Sequence, residues 1–354
     1  MKPGWTYKKL PEISENLDSI RKPVTKKNRT AGIYPYYGAS GIVDYVDDYL
    51  FDEDLLCISE DGANLLMRTY PIAFPISGKV WVNNHAHVLR FESLTTQRYV
   101  EYFFTGLKLD DYITGAAQPK LTQKALNSIV IKIPTTISEQ HRIVERLDAA
   151  FTQIDELKAN AEKQVNEARA LFQRALTEAM EPKEGWEEKK LGDIAKITHG
   201  KNQKEVVSER GQYPIYGSGG NIMGYAKDYL CEARTTILGR KGSINNPIFI
   251  EERFWNVDTA FGISAKEGYD NKYVYYFVKS INWLEKNTGT TLPSLTQQVV
   301  GNVPVSVPPL SEQQHIVARL DALSARVREL EEIQKNVITE CDNMKQAILR
   351  QVFE

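Results

Sequence analysis

The 354-residue chain has only three cysteines, Cys57, Cys231 and Cys341, and they stand in no motif spacing. That excludes a disulfide framework and fits a reducing compartment. No apolar run approaches the roughly 20 residues needed to cross a bilayer, and the opening MKPGWTYKKL lacks the apolar core of a signal peptide. A soluble, cytoplasmic protein without membrane contact is therefore expected. An excess of one charge is missing too: 44 Lys and Arg stand against 46 Asp and Glu, with a pI near 6.3. Such a balance does not by itself advertise a nucleic-acid partner. It also holds locally: residues 1–137 and 181–310 each carry 16 basic and 15 acidic side chains, and residues 138–180 and 311–354 each carry 6 and 8. If the chain binds nucleic acid, its basic groups must gather on one face, or a partner must supply part of the phosphate contact.

What is present is a repeat. SEQHRIVERLD at residues 138–148 returns as SEQQHIVARLD at residues 311–321, and Ser138 and Ser311 lie 173 residues apart. At nearly the same offset QPKLTQ (118–123) pairs with LPSLTQ (292–297), YVEYF (99–103) with YVYYF (273–277), and YPYYGASG (34–41) with YPIYGSGG (213–220). The two blocks also open alike, GWTYKKLPEIS at Gly4 and GWEEKKLGDIA at Gly185. A period this long is duplication of a whole domain and not a solenoid.

Each SEQ motif opens a long helical run. In the second run Ile316, Leu320, Leu323, Val327, Leu330, Gln334, Val337, Cys341, Met344 and Ile348 step 4-3-4-3. Moving back 173 gives Ile143, Leu147, Ala150, Ile154, Leu157, Ala161, Gln164, Ala168, Leu171 and Ala175. A 3.5-residue apolar period held over several heptads predicts a coiled coil. The small alanines of the first run suit the larger Cys341, Met344 and Ile348 of the second, which pairs the two helices within one chain; separate amphipathic helices, each packed on its own block, are the alternative.

The blocks read as α+β. Residues 80–89, 254–264, 129–133 and 303–307 predict strands, the last two ending at Pro134 and Pro308, and residues 97–107 and 271–284 predict helices. The expected division is a first block over 1–137, a helix over 138–180, a second block over 181–310 and a second helix over 311–354.

Three loops per block could carry function. The first is basic and rich in Asn, Gln and Thr: Lys22, Lys26, Lys27, Asn28 and Arg29 in block one, Lys201, Asn202, Gln203 and Lys204 in block two. Such side chains serve phosphate contact and base-edge reading, and equally line solvated loops. The second is a tip of opposite charge in the two copies, with Glu60, Asp61 and Asn64 in one and Arg240, Lys241, Ser243 and Asn245 in the other. Arginine can take guanine, asparagine adenine, and a carboxylate can accept from cytosine; surface drift would look the same. The third is an aromatic-glycine turn containing Tyr37 and Ser40 in block one, Ser218 and Gly219 in block two, where a backbone could approach closely. TGAAQPK (114–120) and TGTTLPS (288–294) match so well that a shared structural or subunit-contact role is expected.

Catalytic constellations are lacking. His85 and His87 could suggest a metal pair, but the second copy reads Asp258-Thr259-Ala260, so a packing or polar strand role is expected. Asn246-Pro247-Ile248-Phe249 approaches an adenine-methyltransferase motif but carries Ile at its third position. Gly217–Gly220 follows no strand-loop-helix pattern, and Glu187-Glu188-Lys189 sits where the first copy has Tyr7-Lys8-Lys9.

Two variable blocks, each opening with Gly-Trp…Lys-Leu-x-[Glu/Asp]-Ile and closing with Ser-Glu-Gln-x-x-Ile-Val-x-Arg-Leu-Asp and a long helix, resemble the specificity subunit of type I restriction-modification systems. The resemblance implies two α+β target-recognition domains and two long antiparallel coiled-coil helices related by a pseudo-twofold. It further implies a non-catalytic subunit that reads an asymmetric, bipartite site on double-stranded DNA and docks two methyltransferase subunits, with restriction subunits outside. No cofactor would be bound by this chain; S-adenosylmethionine, ATP and magnesium would belong to partners. Specificity subunits of type IIB-like systems are similar, and other classes remain: a stand-alone methyltransferase or nuclease, and a coiled-coil scaffold protein.

Helices of about 40 residues run to about 60 Å at 1.5 Å per residue, so the resemblance makes them a ruler. Inserting one heptad in both helices is expected to lengthen the spacer between the half-sites, read by mapping the modified motif; an unchanged spacer would sink the ruler.

Overall fold

The computed structural model describes residues 4–115 and 117–353. The chain forms two compact units: Met1–Ala161 with Asn336–Glu354, and Glu162–Lys335. Each unit holds one block together with the start of one long helix and the end of the other.

In the first unit the closing strand Val130–Pro134 pairs antiparallel with the opening strand Trp5–Lys9, so the two ends of the block are zipped together. A four-stranded antiparallel sheet runs in the order Glu15–Asn16, Ala86–Arg90, Leu55–Ser59, Ala73–Ile76. A second sheet runs Gly41–Val46, Ala31–Gly38, Lys79–Val82, Phe51–Asp52, with Tyr36 and Tyr37 parallel to Trp81 and Val82. The second unit repeats the plan. Glu187–Lys190 pairs with Pro304–Val307, Ala195–His199 heads a sheet with Ala260–Ala265, Thr235–Gly239 and Ile248–Ile250, and Tyr213–Tyr216 lies between Ile222–Ala226 and Trp255–Asn256. Strand Leu55–Ser59 reads as an unbroken apolar run because both its faces are covered. Leu56 and Ile58 point into the core beneath helix Leu94–Gly106, while Leu55 and Cys57 point into the core between the sheets. In the second unit Leu238 and Ile237 divide in the same way. Burial pushes the Cys57 thiol far above its usual value and the Cys231 thiol up to about 12, so both stay protonated.

The strands expected over 80–89 and 254–264 are each broken. Lys79–Val82 and Ala86–Arg90 belong to different sheets, as do Trp255–Asn256 and Ala260–Ala265. An Asn83-Asn84 pair supplies the turn in the first unit, where the Asn83 side chain accepts the His85 amide at 2.8 Å.

The long helices are Ile137–Met180 and Leu310–Phe353, 44 residues each. They pair antiparallel within each unit, as Lys158 with Asp342 in the first and Arg169 with Glu331 in the second. Most of the expected seam faces inward: Leu147, Ile154, Ala161 and Ala175 are buried, as are Ile316, Leu320 and Cys341, and Leu323, Val327, Leu330 and Val337 are half-buried. At three positions it is displaced by one residue. Leu157, Leu171 and Met344 are exposed, and Lys158, Phe172 and Lys345 turn inward in their place. The displaced positions mix apolar and long charged residues, whose stems cover apolar surface while their heads reach water.

The repeated motif explains itself in the contacts at the root of each helix. The buried Gln140 amide donates to the Pro134 carbonyl at 2.9 Å and accepts from Thr96 at 2.7 Å. Gln313 donates to Pro308 at 2.9 Å and accepts from the Asp270 amide at 3.0 Å. About two turns on, Asp148 accepts from the Tyr102 hydroxyl at 2.5 Å and from Arg98 at 2.7 Å. Asp321 accepts from Tyr276 at 2.6 Å and from Lys272 at 2.9 Å. Tyr99 and Tyr273 then tie the short helix to the closing strand through Lys132 and Ser306 carbonyls, 2.8 Å in both units. Burial, then the neighbouring carboxylate, pushes the Tyr102 and Tyr276 hydroxyls well above their usual range, so both remain donors at any physiological pH.

Tyr276→Phe keeps the ring and removes the hydroxyl that holds Asp321. It is expected to lower stability by about 1–3 kcal/mol, the scale of a hydrogen bond to a charged group, as a reduced denaturation midpoint; a midpoint unchanged from the natural chain would contradict the anchoring role.

Candidate nucleic-acid interface

In both units the three loops gather on the break between sheets. In the first, the Lys22 amide donates to Val82 at 3.3 Å, the Glu60 amide to His85 at 2.9 Å, and the Asn83 amide to Tyr37 at 3.0 Å. The Ser59 hydroxyl also donates to Ala39 in the aromatic-glycine turn. In the second, the Lys201 amide donates to Asn256 at 3.0 Å, the Arg240 amide to Thr259 at 2.7 Å, and the Val257 amide to Tyr216 at 3.2 Å. A tryptophan hooks the basic loop each time: Trp81 donates to the Lys22 carbonyl at 2.7 Å, and Trp255 to the Lys201 carbonyl at 3.1 Å.

The matched proline loops hold the tips from behind. The Gly62 amide donates to Pro119 at 3.0 Å and the Gly242 amide to Pro293 at 2.9 Å. The Leu121 amide donates to the Glu60 carbonyl at 2.7 Å and the Leu295 amide to the Arg240 carbonyl at 2.9 Å. These loops have the structural role their likeness suggested; Ala116 of the first lies outside the described residues. Gly220, at φ 83°, takes the left-handed backbone that favours glycine, and a Cβ there would also have to push aside the Ile248 Cδ1 methyl.

The expected contact residues divide by what else they do. Lys22, Lys26, Lys27, Asn28, Ser40, Lys201, Asn202, Lys204, Gly219, Lys241 and Ser243 are exposed, while Gln203, Ser218, Asp61 and Arg240 are half-buried. Arg240 keeps one guanidinium nitrogen on the Asp258 carbonyl at 3.0 Å. Asn202 accepts the Lys204 amide, and Asn245 accepts the Trp283 amide at 2.7 Å. Others are turned inward. Arg29 stacks on Tyr36 at 4.2 Å and pairs with Asp44 at 2.9 Å. Asn64 bonds the Tyr70 backbone with both ends of its amide, and Tyr37 stacks on Phe74.

Glu60 departs furthest from expectation. Its carboxylate is buried, 2.7 Å from Arg21 and 3.1 Å from Lys120, which leaves no free acceptor for a cytosine amino group. His87 joins it, 2.6 Å from Asp18 and 2.8 Å from the Leu121 carbonyl. Ligand atoms of Asp18, Glu60 and His87 lie within 4.8 Å of one another, but Arg21 sits between the two carboxylates, 3.2 Å from Asp18, and supplies a cation there. This is the polar strand role expected of the His85–His87 stretch. Burial opposes ionisation of Asp18 and Glu60, yet bonds from His87, Arg21 and Lys120 outweigh it and hold both carboxyls below their usual values.

Residues 83–85 and 258–259 were missing from the expected set. Asn84 and His85 are exposed beside Asp61, with the His85 ring 2.9 Å from the Asp61 carboxylate. Their signal was the Asn-Asn pair inside an apolar run, and the tryptophans at matching places just before it. Sequence reasoning also passed over the outer hairpin strand, where Ile42, Val43 and Tyr45 in one unit and Ile222, Met223 and Tyr225 in the other are exposed at equivalent positions.

Because Asp18 and Glu60 have folded values below their unfolded ones, both stabilise the fold fully above roughly pH 4–5. That contribution is lost as the pH falls through the folded values. Asp18→Asn is expected to lower the neutral-pH melting temperature and flatten the acid limb below about pH 4; melting curves with parallel acid limbs would count against it.

The description "type I restriction modification DNA specificity domain" fits residues 2–167 and again residues 183–340. A Haemophilus influenzae protein carrying the name of a type I restriction enzyme specificity subunit is 29% identical over 89% of this chain and 86% of its own. The EcoDI specificity subunit of Escherichia coli is 21% identical over 91% of this chain and 82% of its own. Among solved structures, a chain from work on complex assembly and conformational transition of the type I R-M system is similar in fold. Its TM-score is 0.78 at 17% identity, covering 100% of this chain and 98% of that one. With two copies of the domain in tandem, the chain belongs to the type I restriction-modification DNA specificity family.

Proposed function

We propose that each unit reads one half of an asymmetric, bipartite DNA site through its three-loop face. The carrying observation is a shared backbone frame with unlike side chains. The same amide-to-carbonyl bonds hold Asp61 and Lys241 at corresponding tips, where one block offers an acceptor and the other a donor. Exposed Lys22, Lys26, Lys27, Lys201 and Lys204 flank the tips, where phosphates would pass. Asp61, Arg240, Lys241 and Ser243 are the base-facing set, joined by Asn84. Ser40, Ser218 and Gly219 bring backbone close, and Asn28, Asn202 and Gln203 extend the basic loops. Glu60, Asn64, Arg29, Tyr37 and Asn245 support the frame.

The chain works with other subunits of a type I restriction-modification system. In the finer reading, two methyltransferase subunits dock on the long helices and restriction subunits join outside them. Leu171 and Met344, at equivalent places on the two helices, support this: both are apolar and exposed. Methyl transfer and ATP-driven cleavage then belong to partners, with S-adenosylmethionine, ATP and magnesium. The lack of a phosphate-binding loop or a cofactor-binding glycine motif in the sequence favours that division.

In the reconstituted complex, Arg240→Ala is expected to relax discrimination at one half-site only, by about 1–3 kcal/mol. Lys26→Ala is expected to weaken binding to all sequences and to reduce the salt slope by about 1. Competition binding at several salt concentrations separates the two, and an Arg240→Ala effect shared by both half-sites would contradict the assignment.

A further inference from the structure

The two helices meet through charged contacts that are not interchangeable. Lys158 lies 2.9 Å from Asp342, and Lys345 lies 2.5 Å from Asp155. In the other unit Arg169 lies 2.6 Å from Glu331, and Gln334 donates to Gln164 at 2.8 Å. Both helices are 44 residues long and begin 173 residues apart, at Ile137 and Leu310, so adding 173 converts any position on the first into its equivalent on the second. By that conversion Lys158 corresponds to Glu331, Arg169 to Asp342, Asp155 to Arg328, Ala161 to Gln334 and Gln164 to Val337.

Duplication creates a hazard. A second copy of this chain offers the same two helices, and each could pair with its own duplicate in the native register, exchanging partners to make a dimer. If the first helix paired with itself, Lys158 would meet Arg169 twice. If the second paired with itself, Glu331 would meet Asp342 twice and Arg328 would meet Lys345 twice. Gln164 would face Ala161, and Gln334 would face Val337, each without the amide partner it has now. Every one of these exchanged contacts is a like-charge or mismatched contact, whereas the native pairing joins opposite charges and two amides.

We propose that Lys158, Arg169, Glu331 and Asp342, with the Gln164–Gln334 pair, make the second helix the partner of the first and exclude pairing of either helix with its own duplicate. The positions suit the task. In each pair one side chain lies on the inward series, Lys158 and Glu331 at 32% and Lys345 at 22% exposure, while its partner Asp342, Arg169 or Asp155 is 61–63% exposed, so the contacts are open to screening by salt. Opposite charges on two otherwise similar helices set partner choice, as flanking charges do in coiled coils generally. This selection concerns assembly of the chain itself and holds whatever DNA the loops read.

The discriminating variant carries Arg169→Glu together with Glu331→Lys in the full-length chain. It exchanges the signs of one native pair, so the native contact stays opposite in charge. At those positions both self-pairings change from like to opposite, while Arg328 would still meet Lys345 in the second. The chain is unfolded, refolded at rising concentration and sized by light scattering, with melting temperature recorded alongside. The natural chain is expected to return mostly as monomer. The exchanged variant is expected to give roughly tenfold more dimer at a similar melting temperature, from several contacts each worth a fraction of a kcal/mol. An equal dimer fraction in the two chains at similar melting temperatures would overturn the proposal. Should the variant melt lower, the natural chain serves alone: refolding in about 1 M salt, where the screening length is about 3 Å, must raise its dimer fraction, and indifference to salt would overturn the proposal equally.

Discussion

Each long helix is fastened to its block at two points, a glutamine amide beneath the helix start and an aspartate about two turns on, and the use of the helix depends on that root. Gln140 and Gln313 bind the carbonyl of the proline that ends the closing strand, and Asp148 and Asp321 take a tyrosine hydroxyl from the short aromatic helix. The closing strand is itself zipped to the opening strand, and a second tyrosine ties it to the same short helix. A helix held at two points a few turns apart cannot swivel about either one. The motif is repeated because both blocks need the same joint, and of the letters the two copies share, the Gln, Ile, Val, Leu and Asp make the joint's hydrogen bonds and buried contacts.

Above that joint the blocks are free to differ, and they differ where the backbone is most firmly held. The loops of both units rest on the same short break between sheets, hooked by Trp81 or Trp255 and propped by a proline loop. Because amide and carbonyl groups do much of the holding, side chains such as Lys241 and Ser243 at the tip are free to differ between copies. Where a side chain does carry one, as Glu60 does against Arg21 and Lys120, it is lost to recognition. Arg240 at the matching place stays half-buried and reaches outward past a single carbonyl bond.

The architecture was legible because duplication prints each element twice, so weak signals at one place are checked at the other. The joint was visible as a motif, but not as a joint, since nothing in SEQ…LD names Tyr102 or Tyr276 as the partner. Most of the helix seam was legible. Leu147, Ile154 and Ala161 stand where the 4-3 spacing put them, but Leu157 and Leu171 looked apolar enough to belong and instead face solvent beside Lys158 and Phe172. Composition along a helix does not reveal its rotation when the true inward series includes a lysine. The strand breaks were hidden by apolar runs that continue into the next sheet. The commitment of Glu60 rests on Arg21 and His87, distant in sequence, so no local reading could reach it.

The duplicated frame and its unlike tips make one claim: two readers in one chain, each responsible for half of a split DNA site. The most direct measurement is a base-modification map of genomic DNA from cells carrying this chain with its methyltransferase partner, set against cells lacking the chain. The account predicts a split, asymmetric motif modified in the first cells and absent from the second. An unsplit motif, or a map that does not change when the chain is removed while the partner remains active, would contradict it.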